Sequence, residues 1–110
     1  MVNIEVKRNV AGKITSCQIS GHAEAGEKGS DIVCAGVSAI SQTALLGLLK
    51  HLNSKVSYKM QAGNMYFSLQ EVPDEKTDII LETMLLGFEE ITKAYPQNVI
   101  MSIIGGESHV

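Results

Sequence analysis

The sequence predicts an α+β fold in which two helices pack on a mostly antiparallel sheet, in the order ββαββαβ. Four segments alternate apolar and polar residues, which is the period of a half-buried strand. Two longer segments instead space their apolar residues as one face of a helix. Short turns between paired strands favour hairpins, and hairpins make a sheet antiparallel.

The first half of the chain carries two strands and a helix. The first strand places on one face Val2, Ile4 and Val6. After a turn at 9–13, the second strand, 14–20, is expected to place on one face Thr15, Cys17 and Ile19. A helix is then predicted from about Asp31 to Leu52, with Ser30 or Asp31 as its N-cap.

The second half repeats this order and adds a closing strand. A hairpin is predicted from two alternating runs: Val56, Tyr58 and Met60, then, after a turn at 61–64, Met65, Phe67 and Leu69. Pro73 and Asp74 open a second helix, from about Glu75 to Ala94. The last run, 99–104, is apolar on both faces, which predicts a central strand covered on both sides.

Composition excludes several classes of function. The chain has 110 residues, which predicts one domain spanning 1–110. Its net charge of −3 and lack of tryptophan argue against nucleic-acid binding and against an anionic membrane surface. The longest apolar stretch, 32–52, is interrupted by polar residues and favours a buried helix over a membrane span. With two cysteines in unlike contexts, we expect reduced thiols and a cytoplasmic protein.

The segment 21–34 carries the most informative chemistry. It places His22 just after a strand and Cys34 in the first turn of a helix, with a glycine-containing loop between them. A helix N-terminus and a nearby imidazolium both favour the thiolate, which is the nucleophilic form of cysteine. Asp31, Cys34 and Ser38 share one helical face. The pattern therefore indicates a cysteine nucleophile with His22 as its base, and Asp31 either caps the helix or orients the imidazole.

Other interpretations of these residues remain open. Cys34 could be a buried small residue, as cysteines often are. The segment Gly26–Gly29 matches the G-x-x-G pattern of RNA-binding KH domains, which would make the protein an RNA- or ribosome-associated binding module. A zinc site from Cys17, His22 and Cys34 lacks a C-x-x-C pair and a fourth ligand, so we expect neither metal nor cofactor.

The same segment resembles a known family. The motif comprises Ser20-Gly21-His22-Ala23, then Gly26 and Gly29, then Asp31-Ile32-Val33-Cys34-Ala35 with Val37-Ser38. It is similar to that of the ribosomal-processing cysteine protease family, Prp, whose members also share the length and the order of elements.

The resemblance implies a specific activity. Members are cytoplasmic endopeptidases that remove an N-terminal extension from a protein of the large ribosomal subunit, and they are commonly homodimers. It assigns the catalytic roles to His22 and Cys34, with Asp31 and Ser38 as possible supporting residues. It also implies a substrate-gating loop that depends on Gly21, Gly26 and Gly29. The partner it implies is a ribosomal-protein precursor, with no direct contact to nucleic acid or membrane.

Overall fold

The computed structural model describes residues 1–21, 30–61 and 63–106, and of Ser30 and Asp31 only the backbone. Strands β1 (Val2–Arg8) and β2 (Ile14–Ser20) precede helix α1 (Ser30–Leu46), which continues as a π-helical turn, Gly47–His51. Strands β3 (Val56–Gln61) and β4 (Asn64–Leu69), helix α2 (Glu75–Ala94) and strand β5 (Val99–Gly105) follow. The predicted order ββαββαβ is confirmed.

The five strands form one sheet in the order β3-β4-β2-β1-β5. The pairs β1–β2, β2–β4 and β3–β4 are antiparallel, and β1–β5 is parallel. The prediction of a mostly antiparallel sheet is therefore confirmed. The parallel pair arises because α2 carries the chain back across the sheet before β5 begins.

The core lies between one face of the sheet and the two helices. The sheet contributes alternate residues, as the period of two requires: Val2, Ile4, Val6, Ile14, Cys17, Ile19, Met65, Phe67 and Val99. The helices contribute Val33, Val37, Ala44, Leu45, Leu48, Leu81, Met84, Leu85 and Phe88. At about 25 cal/mol per Å² of apolar surface, burying these side chains is the main stabilising contribution.

A register shift changes which residue of β2 faces this core. The pairing moves from Lys7↔Ser16 to Arg8↔Ile14, so Thr15 has no partner of its own on β1. The extra residue reverses the alternation, because a bulge inserts one residue into one strand only. Ile14, rather than the predicted Thr15, is therefore the buried residue at this end of β2.

The prediction that 99–104 forms a central, doubly covered strand is wrong. β5 lies at one end of the sheet and pairs only with β1 among the described strands. Ile100, Ile103 and Ile104 remain 50%, 45% and 45% exposed. Helices cover only one face of the sheet in the described part of the chain, so Ile100 and Ile104, on the other face, stay accessible. Ile103 is the register partner of the buried Val6 and lies on the inner face, where its position in an edge strand leaves it partly exposed. An apolar edge strand has the same sequence pattern as a central one.

The two helices are antiparallel and pack closely through glycines. A Cβ atom at Gly36 of α1 would lie 3.0 Å from the Ile91 side chain of α2. A Cβ at Gly87 of α2 would lie 3.0 Å from the Ile40 side chain of α1. The start of α1 therefore adjoins the end of α2, and the side of α1 that carries Gly36 faces α2.

The start of α2 confirms its predicted boundary. The Asp74 carboxylate accepts a hydrogen bond of 2.9 Å from the Thr77 amide. The Thr77 hydroxyl accepts one of 3.0 Å from the Asp74 amide, which completes a capping box. The bond from the Thr77 backbone lowers the pKa of Asp74, because it favours the charged carboxylate.

Candidate active site

Cys34 lies near the start of α1 and is partly accessible. Its neighbours Val33 and Val37 are buried in the core at 0% and 1% exposed, and Cys34 packs against that core from one side. Cys34 is therefore partly buried, and not fully buried as in the alternative interpretation. A partly exposed cysteine beside a helix N-terminus is the environment in which thiols become reactive.

The helix begins slightly earlier than the sequence predicted. α1 starts at Ser30, so Cys34 is its fifth residue and lies just beyond the first turn. Among the described residues, the backbone N–H groups that the helix leaves without an intrahelical partner are therefore those of residues 30–32. Helical side chains lean toward the helix N-terminus, so the thiol projects over the turn that carries these N–H groups. The expected combination of thiol and helix start is retained with a shift of one residue.

Cys34 and Ser38 project from the side of α1 that faces away from α2. Each lies two residues from Gly36, which places both about 160° around the helix from it at about 100° per residue. Because Gly36 contacts α2, this flank of α1 is turned toward the other half of the sheet, where β4 and β3 lie. The backbone places Asp31 on the same flank, as predicted, and its side chain lies outside the described residues.

Ser41 connects this flank to β4, which the sequence analysis did not foresee. Its side chain is buried at 1% exposed, and its hydroxyl donates to the Ser38 carbonyl oxygen at 3.1 Å. The hydroxyl also lies 3.8 Å from the sulfur of Met65, the second residue of β4. The available signal was the spacing of seven residues from Cys34, which is two turns along the same helix face.

Gly21 fixes the path of the chain into the segment that carries His22. It follows β2 directly, has φ +90°, and its N–H donates to the Gly63 carbonyl oxygen at 3.1 Å. A Cβ atom at this position would lie 2.3 Å from the Met1 carbonyl oxygen. Only glycine combines this φ with such a close approach. The structure thus gives Gly21 a defined role, whereas His22, Gly26 and Gly29 lie outside the described residues.

Cys17 is a structural residue. It is 1% exposed on the inner face of β2, opposite Val6 and Phe67 on the neighbouring strands. Burial raises the pKa of its thiol to about 12, because the apolar core disfavours the thiolate. At neutral pH it is therefore neither a nucleophile nor a good metal ligand.

His51 is too far from Cys34 to act as its base. It ends the π-helical turn that continues α1, seventeen residues after Cys34. At about 1.5 Å per residue the two are separated by about 25 Å along the axis. Within residues 1–21, 30–61 and 63–106, no cluster of three or more potential metal ligands is found.

Comparison with known proteins identifies the class of protein to which this chain belongs. The sequence model of the cysteine protease Prp family matches residues 1–100. The ribosomal processing cysteine protease Prp of Staphylococcus aureus is 32% identical over 102 residues, which cover 90% of this chain and 95% of the relative. The relative from Bacillus subtilis, of the same name, is 29% identical and covers 89% and 93%.

Solved structures agree with the sequence comparison. The S. aureus protease in complex with a substrate peptide superposes with a TM-score of 0.87 and 26% identity, covering 94% of this chain and 99% of that one. The same protease with a covalently linked product peptide gives a TM-score of 0.83 and 27% identity, covering the same shares of the two chains. Neither structure favours the alternative of an RNA-binding module.

The fold and the accessible thiol at the start of α1 define a small cysteine protease. The chain belongs to the cysteine protease Prp family, as the match over residues 1–100 shows.

Proposed function

We propose that this protein is an endopeptidase that removes the N-terminal extension of a large-subunit ribosomal protein, within a single domain spanning 1–110. The observation that carries the proposal is the partly buried Cys34 beside the start of α1, in a chain of the Prp family. The S. aureus relative is a ribosomal processing protease and was solved with a substrate peptide. Processing of this kind takes place in the cytoplasm, where ribosomes assemble.

In this reaction Cys34 is the nucleophile. Its thiolate attacks the scissile carbonyl carbon and forms a tetrahedral intermediate, which collapses to a thioester as the amine leaves. The unpaired N–H groups of residues 30–32, toward which the thiol leans, stabilise the developing oxyanion. The partial positive charge of the helix N-terminus also favours the thiolate before attack.

His22 serves as general acid and base. It protonates the leaving amine and then removes a proton from the water that hydrolyses the thioester. Support for this role comes from Gly21, whose fixed backbone leads directly into His22, and from the distance of His51. Asp31 and Ser38, on the flank of Cys34, are supporting residues that orient the imidazole or the substrate.

We assign the substrate-gating role to the segment that contains Gly26 and Gly29, with Gly21 as its fixed base. A loop that closes over bound peptide excludes water from the thioester until hydrolysis is due. Glycines give such a loop access to backbone conformations that other residues disfavour.

The working form is a homodimer. Support for this comes from an apolar groove of about 510 Å³ between α1 and α2, on the side of the helices away from Cys34. Its rim carries Ile79, 68% exposed, and Leu86 on the same helix is 62% exposed. Apolar surface of this kind is what a subunit interface buries.

The decisive experiment is incubation of the purified protein with ribosomal-protein precursors, followed by mass analysis of the products. We expect a single cut that removes an N-terminal extension. Cys34→Ser should retain the fold and substrate binding and lose activity by several orders of magnitude, as is usual for a lost nucleophile. Full activity in a folded Cys34→Ser protein would contradict the assignment.

Cys17 supplies the matched control. Iodoacetamide near neutral pH should alkylate Cys34 rapidly and leave Cys17 unmodified until the protein is unfolded, because burial holds the Cys17 thiol protonated. Rapid alkylation of both thiols in the folded protein would remove the distinction on which the assignment depends.

A further inference from the structure

Strand β5 is an apolar edge that carries none of the usual protection against pairing. Among the described strands it pairs only with β1, so its other side is open. Its residues, Val99–Gly105, include no proline and no charged side chain. Edge strands are normally blunted by such residues, as Lys59 does on β3 at the opposite end of the sheet. An unprotected apolar edge is therefore suited to receive another extended chain.

The backbone groups that face the open side follow from one hydrogen bond to β1. The Val2 N–H donates to the Asn98 carbonyl oxygen at 2.9 Å, and Val2 is the register partner of Val99. In a parallel pair, every second residue of a strand directs its N–H and C=O groups to the same neighbour. From Asn98 onward, the even-numbered residues therefore bond to β1. The N–H and C=O groups of Met101 and Ile103 point to the open side.

A recess lies next to this edge, on the face of the sheet that the helices leave uncovered. Its volume is about 210 Å³, and it is lined by side chains of β5, β1 and β2 in two rows across the sheet. The register places Ile100, Asn3 and Ser20 in one row, and Ser102, Glu5 and Gln18 in the other. The short serine side chains leave the space open, and the amide and hydroxyl groups make its walls polar.

Glu5 is the charged group of this recess. It is half-buried, whereas its neighbours on the same face of β1, Asn3 and Lys7, are exposed. Within the described residues, its carboxylate accepts no hydrogen bond and takes part in no ion pair. The surrounding amides and hydroxyls can orient a bound group, but they cannot neutralise the carboxylate. A cationic ligand group would do so, since a partly buried charge is stabilised by an opposite charge.

Ser102 leaves a passage from the open edge to this carboxylate. It is the register partner of Glu5 and lies between Ile100 and Ile104 on the same face of β5. A residue on an added strand opposite Ser102 would be two strand spacings from Glu5, about 9.5 Å. A long cationic side chain that passes over the serine spans this distance. Arginine fits best, because its planar guanidinium pairs with a carboxylate through two parallel hydrogen bonds.

We propose that β5 receives an extended segment of a partner protein, in which an arginine opposite Ser102 reaches Glu5. The segment pairs antiparallel with β5 through the outward N–H and C=O groups of Met101 and Ile103. The residues two positions before and after the arginine lie against Ile100 and Ile104, so they are apolar. The partner is thus a strand with one basic side chain between two apolar ones on the same face.

A second copy of this chain does not meet these requirements. Antiparallel pairing of two β5 strands about Ser102 would place another serine opposite it, because β5 has no basic residue. Glu5 would then stay unpaired in both subunits. The dimer proposed above buries the groove between α1 and α2, which is a separate surface from this edge.

Binding at β5 leaves the catalytic thiol accessible. Helix α2 packs over β5, and the flank of α1 that carries Cys34 faces away from α2. Strands β1 and β2 separate β5 from β4, the strand that Ser41 contacts on the Cys34 flank. The partner site is therefore distinct from the place where a peptide is cut.

The first test uses a synthetic probe. A fluorescein-labelled nine-residue peptide carries valine at every second position from a central arginine and threonine between them. Its control replaces the arginine with citrulline, which has a similar shape and no charge. Fluorescence anisotropy should show the arginine peptide binding about threefold to tenfold more tightly, as expected for a partly exposed bidentate pair. Equal affinities, or no binding of the arginine peptide, would overturn the proposal.

The second test removes the charge of the recess without changing its shape. Glu5→Gln should reduce the affinity for the arginine peptide to that for the citrulline peptide, which itself should change little. Lys59→Gln removes a charge from the same face near the opposite edge, and it should leave the difference between the peptides intact. An equal loss for both peptides in Glu5→Gln would overturn the role of Glu5.

The third test concerns the edge. Ile103→Pro removes an outward N–H and leaves the hydrogen bonds to β1 in place, so it should weaken binding of both peptides about fivefold. In the wild-type protein, the amide NMR signals of Met101 and Ile103 should shift as the arginine peptide is added, and that of Lys59 should not. Shifts confined to residues outside β5 and the recess would overturn docking at this edge.

Two controls exclude other occupants. Ile103→Pro should sediment as the wild-type protein does, and dissociation of a wild-type dimer in this variant would show that a second copy occupies the edge. Glu5→Gln should cleave a ribosomal-protein precursor with unchanged KM, and a raised KM would show that the recess binds the substrate. Either result would overturn the assignment of β5 to a separate partner. The peptide-binding tests do not depend on cleavage, so failure of the proposed protease function is distinguishable from failure here.

Discussion

Gly21 offers the sharpest test of how the fold positions the site. An alanine at this position must adopt φ near +90°, and its Cβ would lie 2.3 Å from the Met1 carbonyl oxygen. The positive φ costs an L-residue about 1–2 kcal/mol. Relieving the overlap requires a shift of the first strand, which we place at about 1–3 kcal/mol by analogy with overpacked sites. The two terms together give a loss of about 2–5 kcal/mol.

Gly12 provides a matched control for the backbone term. It has φ +88°, close to that of Gly21, but a Cβ there would have nothing within 4 Å. Gly12→Ala should therefore lose only about 1–2 kcal/mol. The difference between the two variants isolates the contact between Gly21 and Met1.

Thermal and urea unfolding of both variants measures this difference. A domain of this size is stable by roughly 5–15 kcal/mol, so Gly21→Ala is expected to fold at room temperature. Its melting temperature should fall by roughly 10–25 °C, and that of Gly12→Ala by roughly 5–10 °C. Below both transitions, Gly21→Ala should also reduce kcat, because it displaces the chain that enters His22. Equal losses of stability would show that Met1 moves aside without cost and would refute the argument.

Three further predictions concern the site and the core. His22→Ala should abolish turnover while His51→Ala leaves it intact, and the pH–rate profile should show a limb from an imidazole-like group; a damaging His51→Ala would refute the assignment. Burial of the Cys17 thiol raises its pKa to about 12, so its contribution to stability is complete below about pH 9 and is lost as the pH rises toward 12. The free energy of unfolding, measured by urea titration between pH 8 and 11, should therefore decline by up to about 1.4 kcal/mol per pH unit more in wild type than in Cys17→Val, and parallel curves would contradict this. Gly26→Ala and Gly29→Ala should reduce turnover more than stability, and hydrogen exchange across 23–29 should slow when a non-cleavable peptide binds; unchanged exchange with normal kinetics would exclude gating.

Local features of the fold were predictable because they depend on neighbouring residues. The alternation in β1 and β4, the apolar stripe of α2 and the start of α2 after Asp74 each involve residues only a few positions apart. The pairing of the hairpin β3–β4 also followed from its short turn. The placement of Cys34 near the start of a helix was also predictable, but its exact position in that helix was not.

Long-range features were not predictable from such patterns. The apolar run 99–104 fits a central strand and an edge strand equally well, and only the sheet order shows that it is an edge. The bulge at Thr15 depends on the partner strand, since register is a property of a pair. Ser41 became part of the site only because Met65, from a distant part of the chain, lies against it.

By itself the sequence determined the class of this protein: a reactive cysteine with a histidine and glycines at family spacing, on an α+β framework. Chemistry of this kind requires particular residue types at particular spacings along the chain, and these can be recognised from the sequence alone. The tertiary structure decided which side of α1 carries the thiol and why position 21 must be glycine. Those properties arise when segments far apart in sequence pack together, because contact distances and free edges exist only in the folded chain.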